Sequence, residues 1–202
     1  MALVPFDDRD GWIWMNGDFV PWRDAKTHVL THALHYGSSV FEGERMYGGK
    51  IFKLREHSER LIRSAELLDF EIPYTAEEID AACIATCERN GMTDAYLRPL
   101  AYLGPEQVSV SALNNKCHVM IAVWDWPSYF DPEVKKKGIK LEWAKWRRPD
   151  PMTAPTTAKA AGLYMICTMS KNAAEKRGFA DAMMLDWRGY VAEATGANVF
   201  FV

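Results

Sequence analysis

A single lysine among small residues is the first candidate for chemistry in this sequence. Lys159 lies within residues 156–162, between a proline-rich segment and a predicted helix. A lysine amine becomes nucleophilic when a tight pocket removes it from water, and small neighbours would leave room there for a planar ring. On these residues alone, a solvated surface lysine is the simpler interpretation, and a nucleophile held in a pocket is the alternative.

A glutamate on an apolar strand is the second candidate. Glu193 lies within residues 190–198, and strict strand alternation would place it on one face with Val191 and Thr195. A carboxylate is costly to bury on such a strand unless it is paired. A cationic ring nitrogen is one possible partner, and an exposed strand acid is the alternative.

Three closely spaced histidines could ligate a metal. His28, His32 and His35 could share one helical face. No carboxylate or cysteine completes a nearby set, and Tyr36–Gly37 indicates that the helix changes there. We therefore expect packing and hydrogen bonding for these imidazoles, and no metal site. The sequence also lacks the GxSxG, HExxH, P-loop and GxGxxG motifs.

The composition limits the class of protein. The chain has 202 residues, a formal charge of -3, 49% apolar and 25% charged residues, which is ordinary for a globular protein and excludes a disordered, collagen-like or disulfide-scaffold chain. A pI near 6.0 argues against a dedicated nucleic-acid binder, and the basic run at 135–137 is expected to be a solvated loop. No apolar run reaches the roughly 20 residues of a membrane span, and the acidic N-terminus is unlike a signal peptide.

The cysteines indicate the redox compartment. None of the four forms a CxxC pair, and two of them lie four residues apart on a predicted helix. We expect buried, reduced thiols and a cytoplasmic protein. The four residues are Cys83, Cys87, Cys117 and Cys167.

The elements that position these residues fall into two blocks. Residues 1–125 are predicted to form an α+β domain. Asn16–Gly17 is typical of a hairpin turn, and Thr75 with Glu78 fits a capping box. The predicted elements are hairpins over 13–21 and around Gly48–Gly49, helices over 54–70 and 75–90, and strands over 96–103 and 118–124.

The second block follows a proline- and charge-rich linker at 126–138. Residues 139–202 form the second predicted domain. Its elements are a strand over 139–146, a loop over 147–157, a helix over 162–177, a strand pair over 181–186 and 190–194, and a strand from Asn198. About 64 residues are few for an independent core, and the chain stops in an apolar run at 199–202. We therefore expect this domain to be C-terminally incomplete.

Five ordered motifs together resemble one family. The sequence is similar to fold-type IV, pyridoxal-phosphate-dependent aminotransferases, and within them to the bacterial branched-chain amino-acid aminotransferases. The resemblance extends from about residue 12 to residue 202. The motifs are HALHYGSSVFEG at 32–43, REHSERL at 55–61, AYLRPL at 95–100, AKA at 158–160 and GYVAE at 189–193.

The resemblance implies a two-domain α+β or α/β fold and a role for individual residues. Lys159 matches the catalytic lysine that forms a Schiff base with pyridoxal 5'-phosphate. Arg60 matches the arginine that binds the phosphate, and Glu193 matches the acid that pairs with the ring nitrogen. Tyr164 and Asn198 match further cofactor-binding positions. The substrate positions are Tyr36, contributed across a dimer, and Phe41, Gly43, Tyr96, Arg98, Trp126 and Tyr129.

The implied activity is transamination of leucine, isoleucine or valine with 2-oxoglutarate by a homodimer or higher homo-oligomer, without nucleic acid or membrane partners. Phe41 with Trp126, Tyr129 and Arg98 favours this pocket over a D-amino-acid aminotransferase or an aminodeoxychorismate lyase, which share the fold. The family signature that starts at Glu193 ends after Asn198, before its second half. A cofactor-free dimerisation module is therefore the alternative from a different class.

Overall fold

The computed structural model describes residues 4–126 and 137–201, which form two compact units. The first contains residues 4–126 together with Ala158–Ala161, and the second contains residues 137–157 and 162–201. The predicted domain boundaries stay a prediction. Trp126, at the start of the predicted linker, belongs to the first unit. The segment Ala158–Ala161, within the second predicted domain, also belongs to the first unit.

The described residues of the first unit form an antiparallel sheet and three helices. The strands are β1 (Trp12–Met15), β2 (Asp18–Pro21), β3 (Ser39–Phe41), β4 (Glu44–Tyr47), β5 (Lys50–Ile51), β6 (Ala95–Leu103) and β7 (Cys117–Trp124). Within the described residues, six of these seven strands pair in the order β2-β1-β7-β6-β4-β5, and the seventh, β3, pairs with β6. The helices are α1 (His32–Tyr36), α2 (Leu54–Glu66) and α3 (Ala76–Arg89), with a 3-10 turn at Trp22–Asp24.

Both predicted hairpins are confirmed. Asn16 and Gly17 adopt φ angles of 53° and 104°, so both central residues of the first turn have the positive φ that a type I′ turn requires. The turn sets the register in which Trp14 faces Phe19. The second hairpin joins β4 to β5 through Gly48 and Gly49.

The predicted helices form, with one correction. Thr75 Oγ1 accepts the Glu78 N–H, and the Glu78 carboxylate accepts the Thr75 N–H, so the capping box at the start of α3 is confirmed. Helix α2 ends at Glu66 rather than at Phe70, because Asp69 adopts a left-handed φ of 61°. Among the described residues, no helix is long and apolar enough to cross a bilayer.

The sheet has a buried face and a more open face. Helices α2 and α3 contact the sheet, and Leu61, Ile79, Leu97 and Ile121 are fully buried. Alternation along β6 places Tyr96, Arg98 and Leu100 on the opposite face from Leu97. That second face carries its own cluster, in which Ile13, Trp22, Ala122 and Trp124 are buried and Tyr96 and Trp126 pack against them.

The described residues of the second unit form a small mixed sheet and one helix. Strand β8 (Leu141–Trp143) pairs in parallel with β9 (Asp181–Leu185), and β10 (Val191–Ala194) pairs antiparallel with β9. A 3-10 turn at Ala161–Tyr164 leads into α4 (Met165–Lys176). The strand predicted over 139–146 is therefore shorter, because only Leu141–Trp143 lies beside β9.

The strand predicted from Asn198 does not form in the described residues up to Phe201. The Ala194 N–H donates to the Ala197 carbonyl oxygen, which closes a tight turn after β10. Beyond that turn, Phe200 and Phe201 are 86% and 75% exposed, and no strand pairs with them in this part of the chain.

The cysteines agree with the expected free, buried thiols. All four are free, and Cys83, Cys87 and Cys167 are buried while Cys117 is half-buried. Burial, with a smaller contribution from nearby acids, raises the pKa of Cys87 to about 11. This thiol is therefore protonated and unreactive near neutral pH.

Candidate active site

The backbone of Lys159 is fixed between helix α2 and the end of strand β3. Its N–H donates to Ser64 Oγ at 3.0 Å, and its carbonyl oxygen accepts the Phe41 N–H at 3.1 Å. The flanking Ala158 and Ala160 are buried, and Lys159 itself is half-buried. Its Nζ lies 5.2 Å from the centroid of the Phe41 ring, whose face attracts a cation. The structure thus favours a lysine packed among small neighbours over a fully solvated one.

Arg60 forms an ion pair with a fully buried carboxylate. Its Nε and Nη2 donate to Glu42 Oε1 and Oε2 at 2.5 and 2.6 Å, and His57 Nδ1 lies 2.8 Å from Oε2. Burial raises the pKa of Glu42, but the hydrogen bonds from Arg60 and His57 outweigh burial and leave this pKa below its ordinary value. The ionised carboxylate therefore sets the plane of the guanidinium.

Helix α2 carries Arg60 and also binds the backbone of Lys159. Arg60 and Ser64 are four residues apart and lie on one helix face. The Ser64 hydroxyl accepts the Lys159 N–H. The Arg60 side chain and the attachment point of the Lys159 backbone therefore lie on the same face of α2, about one turn apart.

Four of the predicted substrate residues converge on the open face of the sheet. Arg98 Nη2 donates to Tyr96 Oη at 2.8 Å, and the guanidinium carbon lies 4.6 Å from the centroid of the Phe41 ring. Phe41 faces Leu100 across β3 and β6, which places it on the face of Arg98. Gly43 lies so close to Tyr96 that an added Cβ would overlap the tyrosine hydroxyl. Any side chain at position 43 would therefore force the Tyr96 hydroxyl to move.

Trp126 belongs to an aromatic cluster at the end of β7. Its ring centroid lies 5.6 Å from that of Tyr96 and 5.8 Å from that of Trp124. Its carbonyl oxygen accepts Arg45 Nη1 at 2.7 Å, which fixes the backbone where the described segment ends. Tyr129, also predicted to contact substrate, lies outside the described residues.

The three histidines make hydrogen bonds. His32 is buried, with Nδ1 at 2.6 Å from Ser38 Oγ and Nε2 at 2.8 Å from the Ser109 carbonyl oxygen. His28 accepts a backbone N–H, and His35 Nε2 lies 2.9 Å from a backbone oxygen. Among the described residues, no three His, Cys, Asp or Glu side chains are grouped to hold a metal ion.

Tyr36, expected to act across a dimer, ends helix α1 on the surface of the first unit. It is 47% exposed, and its ring centroid lies 4.6 Å from that of His32. Val29, Leu30 and Leu34 on the same segment are also exposed. The segment therefore presents an apolar surface next to Tyr36.

In the second unit, Glu193 is paired with an arginine. Arg148 Nε lies 3.2 Å from Glu193 Oε1, and the glutamate side chain is 40% exposed. The prediction that Glu193 shares a face with Val191 and Thr195 is wrong. The β9–β10 register shifts between Val191 and Glu193, which breaks the alternation, and Val191 is exposed whereas Thr195 is buried.

The other two predicted cofactor residues also lie in the second unit. Tyr164 is half-buried and ends the 3-10 turn that precedes α4. Asn198 is exposed and follows the turn after β10. Their predicted roles stay predictions.

Several residues that support these side chains escaped the sequence analysis. Glu42 and His57 surround Arg60, Arg148 pairs with Glu193, and Ser64 holds Lys159. The spacing of His57 and Arg60, three residues apart on a helix, was a usable signal for a shared acidic partner. Arg148 and Ser64 lie far from their partners in sequence and had no comparable signal.

A second buried acid, Glu44, also went unnoticed. It is 1% exposed, and among the described residues neither carboxyl oxygen has a hydrogen-bond partner. Burial, reinforced by the charges of Glu42 and Asp80, raises the pKa of Glu44 to about 8. This side chain is therefore mainly the neutral acid at pH 7.

Comparison with known proteins gives the family. The family model described as amino-transferase class IV matches residues 39–202. A probable branched-chain-amino-acid aminotransferase of Rickettsia felis is 43% identical over 202 residues, which cover 100% of this chain and 68% of the relative. The branched-chain-amino-acid aminotransferase of Pseudomonas aeruginosa is 43% identical, with 96% of this chain and 65% of that protein covered.

Solved structures agree. The branched-chain amino acid aminotransferase of Escherichia coli superimposes with a TM-score of 0.88 at 37% identity, covering 93% of this chain and 64% of that one. The branched-chain amino acid aminotransferase of Thermobaculum terrenum, determined in its PLP form, gives a TM-score of 0.79 at 27% identity, covering 93% and 62%. This chain thus spans about two thirds of the length of these relatives. The predicted fold class is confirmed, and the chain belongs to the class IV aminotransferase family.

Proposed function

We propose that the protein transfers the amino group of leucine, isoleucine or valine to 2-oxoglutarate with pyridoxal 5'-phosphate as cofactor. Family membership and the names of the relatives support the reaction class and the substrate class, and the PLP form of the Thermobaculum terrenum relative supports the cofactor. The observation that carries the proposal is the fixed backbone of Lys159, which Ser64 and Phe41 hold beside the helix of Arg60.

The residues present fit this cofactor. A guanidinium is a suitable partner for phosphate oxygens, because its planar donors match their geometry. Glu42 holds the plane of the Arg60 guanidinium through two hydrogen bonds. The cofactor carbonyl would react with a lysine amine that has space beside it. Lys159 lies between two small, buried residues, Ala158 and Ala160. When bound, pyridoxal phosphate supplies a carbonyl for the amino group and a ring that withdraws electrons from the substrate Cα.

Different residues of the chain would then have different roles in the reaction. The Lys159 amine would accept the proton from the substrate Cα and return it during transfer. Arg60 would hold the phosphate, and Glu193 would face the ring nitrogen with Arg148 as its neighbour. Phe41, Tyr96 and Trp126 would offer apolar ring faces to an aliphatic side chain.

Trapping the lysine tests the proposal directly. Borohydride reduction in the presence of pyridoxal phosphate, followed by peptide mapping, should label Lys159. Lys159→Ala should abolish the label and lower transamination by at least about a hundredfold, because the proton carrier is lost. Lys145→Ala is the matched control and should keep both label and activity. Label on Lys145 or Lys171 would contradict the assignment.

Arg98 should distinguish the two substrates. The site must accept an aliphatic amino acid and glutamate in turn, and Arg98 is the cation among the aromatic walls. Arg98→Gln should lower kcat/KM for glutamate and 2-oxoglutarate by about ten- to a hundredfold, the value of a charge-assisted hydrogen bond, with a much smaller loss for leucine. Arg63→Gln on the exposed side of α2 is the control. Equal losses for both half-reactions would mean that Arg98 supports the fold or the cofactor.

Other functions on this fold give different results. A D-amino-acid aminotransferase would consume D-leucine rather than L-leucine, and an aminodeoxychorismate lyase would release pyruvate from its substrate without an amino acceptor. A cofactor-free dimerisation module would retain no absorbance near the visible edge after incubation with pyridoxal phosphate and removal of the unbound cofactor by gel filtration. The aromatic walls around Arg98 favour the branched-chain substrate.

We also propose a cytoplasmic homodimer. The exposed apolar side chains of Val29, Leu30, Leu34 and Tyr36 on one segment support a contact with a second copy. The four free thiols support a reducing compartment.

A further inference from the structure

The N-terminal segment is attached to the first unit at several points. The Phe6 carbonyl oxygen accepts the Nε1–H of Trp22 at 2.6 Å. Asp8 and Asp10 pair with Arg23 at 2.7 and 2.8 Å, so the segment is held on both sides of Arg9. These contacts fix the position of Phe6, although its own side chain is 45% exposed.

The ring of Phe6 contacts the aromatic cluster that includes Trp126. Its centroid lies 5.3 Å from that of Trp124 in an edge-to-face arrangement and 6.2 Å from that of Trp126. The guanidinium carbon of Arg9 lies 3.8 Å from the Phe6 centroid. Phe6 is therefore packed between a cation and two indole rings.

Phe6 also bounds a cavity that reaches Arg98. The cavity measures about 640 Å³ and is lined by Phe6, Trp22, Arg98, Ala122 and Trp124, among others. The N-terminal segment thus lies beside the open sheet face that carries the proposed substrate residues.

Trp126 lies outside the strand ladder, so its ring is positioned by side-chain packing rather than by strand pairing. Strand β7 ends at Trp124, two residues earlier. The Arg45 hydrogen bond fixes the Trp126 carbonyl group but not its ring. The Trp126 ring packs beside the rings of Tyr96, Trp124 and Phe6.

We propose that Phe6 is a positioning residue, which holds the Trp126 ring as an apolar wall and thereby favours aliphatic over acidic amino acids. The choice of substrate in this inference rests on the proposed function, whereas the positioning of the Trp126 ring by Phe6 does not. An aliphatic side chain gains its affinity from the wall, whereas a carboxylate gains it from Arg98. Loss of Phe6 should therefore weaken binding of leucine more than binding of glutamate.

The kinetic test compares both half-reactions in the intact protein. Phe6→Ala should raise KM for leucine about fivefold, the scale of a lost aromatic pair, with kcat within about twofold and KM for glutamate nearly unchanged. Phe6→Tyr keeps the ring and should restore the KM for leucine. Phe52→Ala removes another exposed phenylalanine, 64% exposed and outside the cluster, and is the control. Equal rises in KM for both substrates would overturn the proposal.

A spectroscopic test separates this inference from the proposed function. The protein is labelled with 5-fluorotryptophan, and Trp126→Phe identifies the fluorine resonance of Trp126. That resonance should shift or broaden in Phe6→Ala and stay in place in Phe52→Ala. An unmoved resonance would overturn the positioning role whatever the activity. Absence of leucine transamination by the unaltered protein would instead overturn the proposed function. If Phe6→Ala does not fold, Phe6→Leu is judged by the same two readouts.

Discussion

Replacing Arg60 by methionine is expected to destabilise the protein by about 3 kcal/mol, since it leaves a buried carboxylate without its main partner. Glu42 is fully buried, and its two oxygens accept Nε and Nη2 of Arg60. Measured losses for buried pairs reach about 5 kcal/mol, but the Arg60 side chain is 41% exposed, so water will partly replace it. Urea unfolding measures the change.

A double variant distinguishes the loss of the Arg60–Glu42 ion pair from the loss of packing by the aliphatic part of the arginine side chain. Glu42→Gln with Arg60→Met removes the buried charge as well, and the double variant should be more stable than Arg60→Met alone. Arg63→Met, on an exposed position of the same helix, is the matched control and should change stability little. A double variant as unstable as Arg60→Met would show that the ion pair is not the source of the loss.

The pH dependence of this pair has a definite sign. The pKa of Glu42 is lower in the folded protein than in the unfolded chain. The ionised Glu42 therefore stabilises the folded protein fully above the ordinary glutamate pKa of 4.5, and this stabilisation is lost as the pH falls through the pKa of Glu42 in the folded protein.

Local signals in the sequence predicted the local structure. Asn16–Gly17 needs only its own φ angles to form a turn, and Thr75 with Glu78 needs only three intervening peptide bonds. Both features are confirmed because nothing distant competes with them. Strand ends were less predictable, since β8 contains only the three residues that pair with β9, and Asn198 onward has no strand partner in the described residues.

The candidate site could be predicted only in part. Lys159 and Arg98 were found from motif resemblance, but the Ser64 hydrogen bond to Lys159 joins residues 95 positions apart. A contact between residues so far apart in the chain produces no local pattern in the sequence. The bulge at Glu193 was missed because alternation assumes a regular ladder, and a one-residue shift reverses which face a side chain occupies.

Glu44 was missed for a different reason. It alternates with Met46 on β4, as a core residue would, and pairs opposite Leu97 in a buried ladder. A charged residue type at that position predicts an exposed side chain. The structure instead buries the acid in its neutral form, which no hydropathy pattern anticipates.

Removing the Glu44 carboxyl is therefore expected to stabilise the protein at alkaline pH. The pKa of Glu44 is about 8 in the folded protein against 4.5 for the ordinary group. Between these values the folded protein keeps a proton that the unfolded chain has released, so stability falls as the pH rises. At about 1.4 kcal/mol per unit, the loss amounts to roughly 4 kcal/mol by pH 8, most of it already present at pH 7.

Urea unfolding at pH 5.5, 7.0 and 8.5 measures this contribution in Glu44→Met and Glu44→Gln. Methionine keeps the length of the side chain without a titrating group, so Glu44→Met should be the more stable protein by about 3 kcal/mol at pH 8.5 and by much less at pH 5.5. Glu44→Gln should flatten the pH dependence equally but gain less stability, because its buried amide also lacks a partner. Glu59→Gln, which removes an exposed acid from α2, is the matched control and should keep the slope of the unaltered protein. An unchanged slope in both Glu44 variants would mean that this carboxyl is already ionised at neutral pH, and that water or a local opening compensates its charge.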